Sequence, residues 1–273
     1  DVVVTNDFWM PSVLPWLNPA AGSVVACIQR FPKRQFVLYG GCRAFVAVSE
    51  IVAEAIRQQT PRLSHKVHVI ANNVDSAFIE KPAPGRTTGD SGRLRILFAG
   101  RLHPEKGLEL LISALHCTQD LARNAWECEI IGPVAQAEGG GGEAYFSKIR
   151  RMADELPVVF SPPIYGPGDL VRIYDNADIF VYPSLAERGE SFGLAPLEAM
   201  ARGVAPVVSD LAVFRDYLQP DLNGVVFDHR SPDADKLLAS ALVGLLRDKA
   251  RRQLIGARAG KTAESISPAA VAS

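Results

Sequence analysis

Short apolar runs rich in β-branched residues alternate with longer amphipathic stretches along the chain. The runs predict buried strands, and the stretches, in which apolar residues recur every three to four positions, predict helices. Helices are predicted at Glu50–Gln59, Leu108–Leu115, Ala144–Leu156 and Lys236–Leu246. The predicted strands are DVVVT, SVVACI, AFVAVS, KVHVI, RILFAG, ECEIIG, PVVFS, DIFVYPS, APVVS and GVVF. Because parallel strands need crossover connections and are buried on both faces, this alternation indicates a doubly wound α/β fold.

One segment, EKPAPGRTTGDSGR from Glu80 to Arg93, breaks the alternation. It is rich in Pro, Gly, Ser and Thr and has no apolar periodicity, which is typical of a linker. We therefore predict an N-terminal domain at residues 1–80, a linker at 81–93 and a C-terminal domain at 94–273. The first part is too short for a complete doubly wound domain, and the chain begins at Asp1 inside a predicted strand. We expect the N-terminal domain to be truncated.

Composition narrows the classes of function. The 273 residues are 48% hydrophobic and 22% charged, which fits a globular protein, and the net charge of −1 gives no reason to expect a nucleic acid partner. The four cysteines show no CxxC spacing and are interpreted as reduced thiols, and the five histidines form no HxxxH pair, so we expect no metal site. No apolar run approaches the roughly 20 residues of a membrane span, and no signal peptide is seen, so we expect a cytoplasmic protein.

Candidate chemistry gathers where predicted strands end, because ligands of open parallel sheets bind at the carboxyl ends of the strands. In FAGRLHPEKG, Arg101 and Lys106 follow the strand RILFAG and precede a helix that begins near Gly107. Two cations in one loop could flank a diphosphate, Arg through its forked guanidinium and Lys as a point charge. The alternative is a solvated loop with ordinary surface charges.

A second stretch, ESFGLAPLEAMARG, follows the strand DIFVYPS. We expect Phe192, Gly193 and Leu194 to begin a helix, with Glu190 in the loop before it and Glu198 inside it. Gly193 would let phosphate oxygens approach the backbone amides at the helix start. Carboxylates accept hydrogen bonds from sugar hydroxyls, but a carboxylate pair also suits a glycosidase. Charges with only a structural role are a further alternative.

Two loops complete the predicted edge of the sheet. SPPIYGPGDL follows the strand PVVFS, and a nucleobase could lie there against the backbone of Ile164. The glycine run at Gly139–Gly142 could cradle a phosphate, but it lacks the spacing of known phosphate-binding loops. A flexible loop is the preferred interpretation.

Together these motifs resemble those of retaining GT-B glycosyltransferases of family 4, also called glycosyltransferase group 1. GRLHPEKG is similar to the family's GRL-x-x-x-KG loop, and ESFGLAPLEAMARGVAPVVSD to its E-x7-E signature followed by EAMA-x-G-x-PVV. The stretches AVSEIVAEAI, VIANNVDSAF and NADIFVYPS resemble three further family stretches. The resemblance runs from about Phe45 to the C-terminus and implies two Rossmann-like domains, the first of them incomplete here.

The resemblance implies roles for individual residues. Arg101 and Lys106 would hold the donor's diphosphate and stabilise charge on the leaving nucleotide, and Glu190 would bind hydroxyls of the donor sugar. Glu198 would bind the ribose. The backbones of Phe192, Gly193 and Leu194 would contact phosphate and sugar. Only Glu190, not Glu187, has seven residues between itself and Glu198. The implied reaction moves a sugar from a UDP- or GDP-sugar to a glycan, lipid or small-molecule acceptor, with retention and without a required metal or other cofactor.

Departures from the family pattern leave an alternative open. Family members commonly carry a His after the strand equivalent to SVVACI, whereas this chain has Cys27 and Gln29 near that place, and Asn73 replaces the Gly of IPNGVD. A nucleotide-sugar binding module with little or no transfer activity is therefore the alternative to an enzyme. A sugar-nucleotide 2-epimerase fits the E-x7-E stretch poorly. The basic segment Arg247–Lys261 is a solvated helix face or, alternatively, a peripheral contact at the inner face of the membrane.

Overall fold

The computed structural model describes residues 2–17, 23–80, 92–121 and 126–266. Contacts within the chain divide it into two compact units. The first comprises Asp1–Asn72, Glu187–Gly193 and Ala212–Asp216, and the second Asn73–Ala186, Leu194–Leu211 and Tyr217–Ser273. The predicted linker falls almost wholly on residues 81–91, which lie outside the described residues, so the predicted domain boundaries stay a prediction.

The first unit contains a parallel sheet in the order β1-β2-β3-β4. The fully buried rings of Phe36, Tyr39 and Phe45 form its aromatic core. The sheet ends at β1, where the side chains of Val2 and Val4 are exposed. The elements of this unit are β1 (Val2–Thr5), α1 (Met10–Leu17), β2 (Ser23–Ile28), β3 (Ala44–Ala47), α2 (Glu50–Gln59) and β4 (Val67–Val69), with 3-10 helices at Gln35–Leu38, Pro61–Lys66 and Ala212–Asp216.

The second unit contains a parallel sheet in the order β10-β9-β8-β5-β6-β7. Its strands are β5 (Leu94–Ala99), β6 (Trp126–Ile131), β7 (Val158–Ser161), β8 (Ile179–Tyr182), β9 (Ala205–Ser209) and β10 (Val225–Phe227). Its helices are α3 (Ser76–Ile79), α4 (Leu108–Leu121), α5 (Glu143–Met152), α6 (Pro167–Asp175), α7 (Leu194–Ala201), α8 (Ala234–Arg247) and α9 (Lys249–Ser265), with 3-10 helices at Pro104–Lys106 and Gln136–Glu138.

This second sheet has a topological switch point between β5 and β8. From β5 the chain winds outward through β6 and β7, then returns to the other side of β5 and winds outward through β8, β9 and β10. Because parallel crossovers are right-handed, this reversal places α4 and α5 on one face of the sheet and α7 on the other. The helices that follow β5 and β8 therefore lie on opposite faces of the sheet, and such folds bind ligands beside the carboxyl ends of the two strands.

The predicted α/β architecture is confirmed, since every predicted strand is present and all the strands of both sheets are paired in parallel. Several helix boundaries differ from the prediction: the helix predicted at Leu108–Leu115 continues to Leu121, and the one predicted at Lys236–Leu246 spans Ala234–Arg247. The helix predicted at Ala144–Leu156 ends at Met152, because Glu155 adopts a left-handed φ of 71° and Leu156 precedes a proline, which disfavours helix. Helix α7 begins at Leu194 rather than Phe192, because Gly193 has a φ of 81°.

Candidate functional site

The loop after β5 is fixed against the loop after β8. The backbone N–H of Leu185 donates to the carbonyl of Glu105 at 2.8 Å, and the hydroxyl of Ser184 donates to the same carbonyl at 3.3 Å. Gly107 has a φ of 69°, and a Cβ on it would lie 1.9 Å from the carbonyl oxygen of Pro183. Only glycine therefore allows the two loops to meet in this way at the switch point.

Lys106 is buried in this loop, with 5% of its surface exposed. Its Nζ lies 5.5 Å from the ring centroid of Tyr182, the last residue of β8, in a cation–π arrangement. His103 caps the 3-10 helix that carries Lys106, since its Nδ1 accepts a hydrogen bond from the N–H of Glu105 at 3.3 Å. The alternative of a solvated loop with ordinary surface charges is wrong for Lys106.

Arg101 is held by two acceptors and remains partly exposed. Its Nη2 lies 2.6 Å from the carboxylate of Glu105, and its Nη1 donates to the carbonyl of Gly139 at 2.9 Å. Guanidinium has further N–H donors that these two bonds do not use. Arg101 and Lys106 therefore lie on one loop at the switch point, with the planar group of Arg101 oriented by its protein contacts.

The glycine run supports Arg101 and does not offer a phosphate cradle. The amides of Gly139 to Gly142 donate to the backbone carbonyls of Gln136, Ala135, Leu102 and Val134, in that order. A Cβ on Gly140 would lie 2.2 Å from the carbonyl oxygen of Val134, so the chain needs glycine there for close packing. The interpretation as a flexible loop does not fit these bonds either.

Glu198 lies on α7, half-buried, in the same unit as Arg101 and Lys106. Its Oε2 accepts a hydrogen bond from the hydroxyl of Tyr174 at 2.9 Å. Burial raises the pKa of Glu198 above its ordinary value, and the hydrogen bond from Tyr174 partly opposes that rise. Leu194, at the start of the same helix, is exposed.

The other members of the E-x7-E stretch belong to the first unit. Glu190 is buried, with 6% of its surface exposed, and Phe192 is buried as well. The segment Glu187–Gly193 is anchored to α2, because Ser49 donates its hydroxyl to the carbonyl of Ser191 at 2.6 Å. Ser49 also caps α2 by accepting from the N–H of Val52. The structure thus places Glu190, Phe192 and Gly193 in one unit and Leu194 and Glu198 in the other.

The loop predicted to meet a nucleobase lies between β7 and α6. Ile164 is half-buried, and within the described part of the chain its backbone N–H and C=O have no hydrogen bond to protein. The neighbouring Tyr165 donates its hydroxyl to the carboxylate of Glu138, which connects this loop to the one before α5. That bond raises the pKa of Tyr165.

A cavity of about 450 Å³ lies in the first unit at the ends of β1 and β2. Cys27 and Gln29 line it, which is where the sequence lacks the expected histidine. The amide of Gln29 is held by Asn72, whose Nδ2 donates to its Oε1 at 3.4 Å.

Two residues of interest, Ser49 and Tyr174, were not predicted from the sequence, where their signals are weak. The signal for Ser49 is that it precedes the helical stretch EIVAEAI, as an N-cap residue would.

Neither metal-binding nor membrane-spanning features are found in the described ranges. Between residues 2 and 266, outside the gaps, no group of three His, Cys, Asp or Glu side chains is placed to hold a metal ion. No helix in the same ranges is long and apolar enough to cross a membrane.

All four cysteines are free thiols. Burial raises the pKa of Cys42 to about 11, and it raises the pKa of Cys128 above that of Cys42.

The fold and this candidate site define a class of protein: it has two α/β units, each built on a parallel sheet, and one of them carries Arg101 and Lys106 on the loop at its switch point. Among solved structures, Anabaena HepE in complex with UDP and glucose is similar, with a TM-score of 0.80 and 18% identity, over 99% of this chain and 75% of that one. Sucrose-phosphate synthase from Thermosynechococcus elongatus also has a TM-score of 0.80, at 17% identity, over 99% of this chain and 71% of that one. These likenesses confirm the predicted GT-B type of fold.

The chain belongs to the family described as glycosyl transferases group 1, whose model matches residues 84–262. It is 34% identical over 183 residues to D-inositol 3-phosphate glycosyltransferase of Corynebacterium glutamicum, which covers 65% of this chain and 41% of the relative. It is 27% identical over 274 residues to phosphatidyl-myo-inositol mannosyltransferase of Mycobacterium leprae, covering 93% of this chain and 66% of the relative. The chain spans about half the length of the curated relatives it matches.

Proposed function

We propose that the protein of which this chain is part is a retaining glycosyltransferase of family 4. It transfers a sugar from a UDP- or GDP-sugar to a glycan, lipid or small-molecule acceptor. The observation that carries the proposal is the loop at the switch point, which presents Arg101 and the buried Lys106 in the unit that also holds Glu198. Family membership and the UDP complex of HepE support a nucleotide donor.

The chemistry of the leaving group assigns roles to the cations. When the glycosidic bond of a nucleotide sugar breaks, negative charge develops on the β-phosphate of the nucleotide. Fixed cations stabilise that charge best when they are already oriented and partly removed from water, as Lys106 and Arg101 are. Two cations could balance a diphosphate without a divalent metal, so we expect EDTA to leave turnover unchanged.

The carboxylates and backbone groups would recognise the rest of the donor. Glu198 would accept from the ribose hydroxyls and Glu190 from hydroxyls of the transferred sugar. The backbones of Phe192, Gly193 and Leu194 would contact the phosphates, and that of Ile164 the base. Retention of anomeric configuration, the sugar and the acceptor belong to the proposal and are tested by product analysis.

Donor binding is tested by calorimetric titration of UDP and GDP into the chain. Arg101→Ala and Lys106→Ala should each weaken nucleotide binding about 10- to 150-fold, since a charge-assisted contact contributes roughly 1.5–3 kcal/mol. Arg172→Ala is the matched control, because Arg172 is a highly exposed arginine of α6 whose guanidinium pairs with Asp169 on the same helix. If the Arg101 variant binds like the Arg172 variant, the proposed diphosphate site is wrong.

Turnover is tested separately, since a binding module would pass the first experiment. Hydrolysis or transfer of a bound UDP- or GDP-sugar, followed by NMR of the product anomer, distinguishes a retaining enzyme from a binding module.

Peripheral membrane contact through Arg247–Lys261 stays a prediction. In that segment Arg252 and Ile255 are buried, whereas Arg258 and Lys261 are exposed. Flotation with anionic vesicles tests it.

A further inference from the structure

Tyr174 is a fully buried tyrosine that points its hydroxyl at Glu198. Its ring packs edge-on against Phe78, with 5.7 Å between centroids, and in a tilted arrangement against Phe180, with 5.5 Å between centroids. The hydroxyl lies 2.9 Å from Oε2 of Glu198 and 3.4 Å from the carbonyl oxygen of Ala195. Because a hydroxyl donates one proton and the carboxylate is both nearer and charged, the bond to Glu198 is the stronger one.

A second side-chain pair, Asp175 and Arg202, connects the ends of the two helices that carry Tyr174 and Glu198. Asp175 follows Tyr174 at the end of α6, and Arg202 follows Glu198 by four residues, just beyond α7. The guanidinium of Arg202 forms two bonds to the carboxylate of Asp175, at 2.8 and 3.0 Å. A bidentate pair fixes both distance and angle, so the Tyr174 hydroxyl is held opposite Glu198.

This arrangement divides the two oxygens of Glu198 between two uses. Tyr174 takes Oε2, and within the described residues no protein group donates to Oε1. Burial of a carboxylate is costly unless its oxygens are hydrogen-bonded, and Glu198 is half-buried. A ligand hydroxyl at Oε1 would satisfy the remaining oxygen, and Tyr174 would keep the side chain in the one orientation that allows it.

We propose that Tyr174 is a positioning residue, which holds one oxygen of Glu198 so that the other accepts from the ribose hydroxyls of the nucleotide. This rests on the proposed function, in which Glu198 binds ribose. A purely structural pair is the competing explanation, in which Glu198 merely satisfies a buried hydroxyl. The two explanations differ in what loss of the Tyr174 hydroxyl does to recognition of ribose.

The test compares UDP with 2′,3′-dideoxy-UDP, and GDP with its dideoxy analogue, by calorimetry. The ratio of their affinities isolates the ribose hydroxyls, since the diphosphate and base are unchanged. We expect the wild type to favour the natural nucleotide about 30-fold, and Tyr174→Phe to reduce that ratio to about 3-fold with little change for the dideoxy analogue. Phe78→Leu is the control, because it loosens the ring packing of Tyr174 and leaves the hydroxyl.

Each outcome is decisive. If the wild type favours the natural nucleotide and Tyr174→Phe favours it equally, Tyr174 has no positioning role while the proposed ribose contact stands. If the wild type itself does not discriminate, the ribose role of Glu198 fails, and the inference fails with it. A loss of discrimination in Phe78→Leu as large as in Tyr174→Phe would assign the effect to packing. Fluorescence of the buried Trp126 checks that each variant is folded. If Tyr174→Phe does not fold, Glu198→Asp replaces it, because the shorter side chain retracts the carboxylate from Tyr174. Retained 30-fold discrimination in Glu198→Asp would overturn the inference.

Discussion

Gly107→Ala is the substitution that best tests how the switch-point site is built. Gly107 has a φ of 69°, and a left-handed backbone costs a residue with a Cβ about 1–2 kcal/mol. The new Cβ would also lie 1.9 Å from the carbonyl oxygen of Pro183, so the loop after β5 must move away from β8. That movement breaks the hydrogen bond from Leu185 to Glu105. We expect the backbone strain and the lost bond together to lower the free energy of unfolding by about 3 kcal/mol.

Urea unfolding followed by tryptophan fluorescence measures this loss in the second unit, which contains Gly107. Trp126 is fully buried in β6, whereas Trp9 and Trp16 are exposed in the first unit, so the change on unfolding reports the second unit. The same displacement moves Lys106, the residue before Gly107, away from Tyr182. We therefore expect nucleotide affinity, measured on the folded variant, to fall at least 10-fold.

Gly168→Ala is the matched control. Gly168 lies in the first turn of α6, its φ is not left-handed, and nothing lies within 4 Å of a Cβ built on it. This substitution should leave stability unchanged or slightly raise it, since Ala is the better helix former. If Gly107→Ala unfolds within about 0.5 kcal/mol of Gly168→Ala and binds nucleotide as tightly, the close approach of the two loops is not what the site requires.

Three further substitutions or modifications give distinct results. Burial raises the pKa of Glu198, so the wild type loses stability as pH rises above 4.5 through the folded pKa. Glu198→Gln should therefore unfold at a higher temperature than the wild type at pH 7, and the difference should vanish below pH 4.5. Recognition of ribose should fall in the same variant. Arg202→Met removes the partner of Asp175 and should cost about 3 kcal/mol in urea unfolding, with Arg230→Met as the exposed control expected near zero. A thiol reagent at pH 8 should leave Cys42 and Cys128 unmodified until the protein is unfolded; modification of either in the native state would contradict their burial.

The elements of the fold could be predicted from the sequence because each one carries a local pattern. The strand runs are continuous and apolar, as strands buried on both faces must be, and this pattern does not depend on partners. Helix ends were less predictable, since they depend on single backbone angles. The positive φ of Gly193 excludes it from α7, and glycine alone does not say whether a helix starts before or after it.

The candidate site was only partly predictable, because its geometry comes from contacts between distant residues. Motif spacing predicted Arg101, Lys106 and Glu198 as site residues, but it could not distinguish a solvated lysine from one packed on Tyr182. That distinction needs the pairing of β5 with β8, which are separated along the chain by two other strands. The glycine run at Gly139–Gly142 was misinterpreted for the same reason, since its amides are satisfied by carbonyls that no local pattern reveals.

The pair of Tyr174 and Glu198 shows why a residue that we propose to act in a site can look like a core residue in a sequence. Tyr174 lies in the helical stretch GDLVRIYDNA, where its spacing fits an apolar face, and its ring is indeed in the core. The hydroxyl alone distinguishes it from phenylalanine, and a buried hydroxyl requires a partner. That partner lies 24 residues further on, on α7, and its own pKa is raised by the same burial. A ligand hydroxyl on the second oxygen, as we propose, would offset the cost of burying this carboxylate.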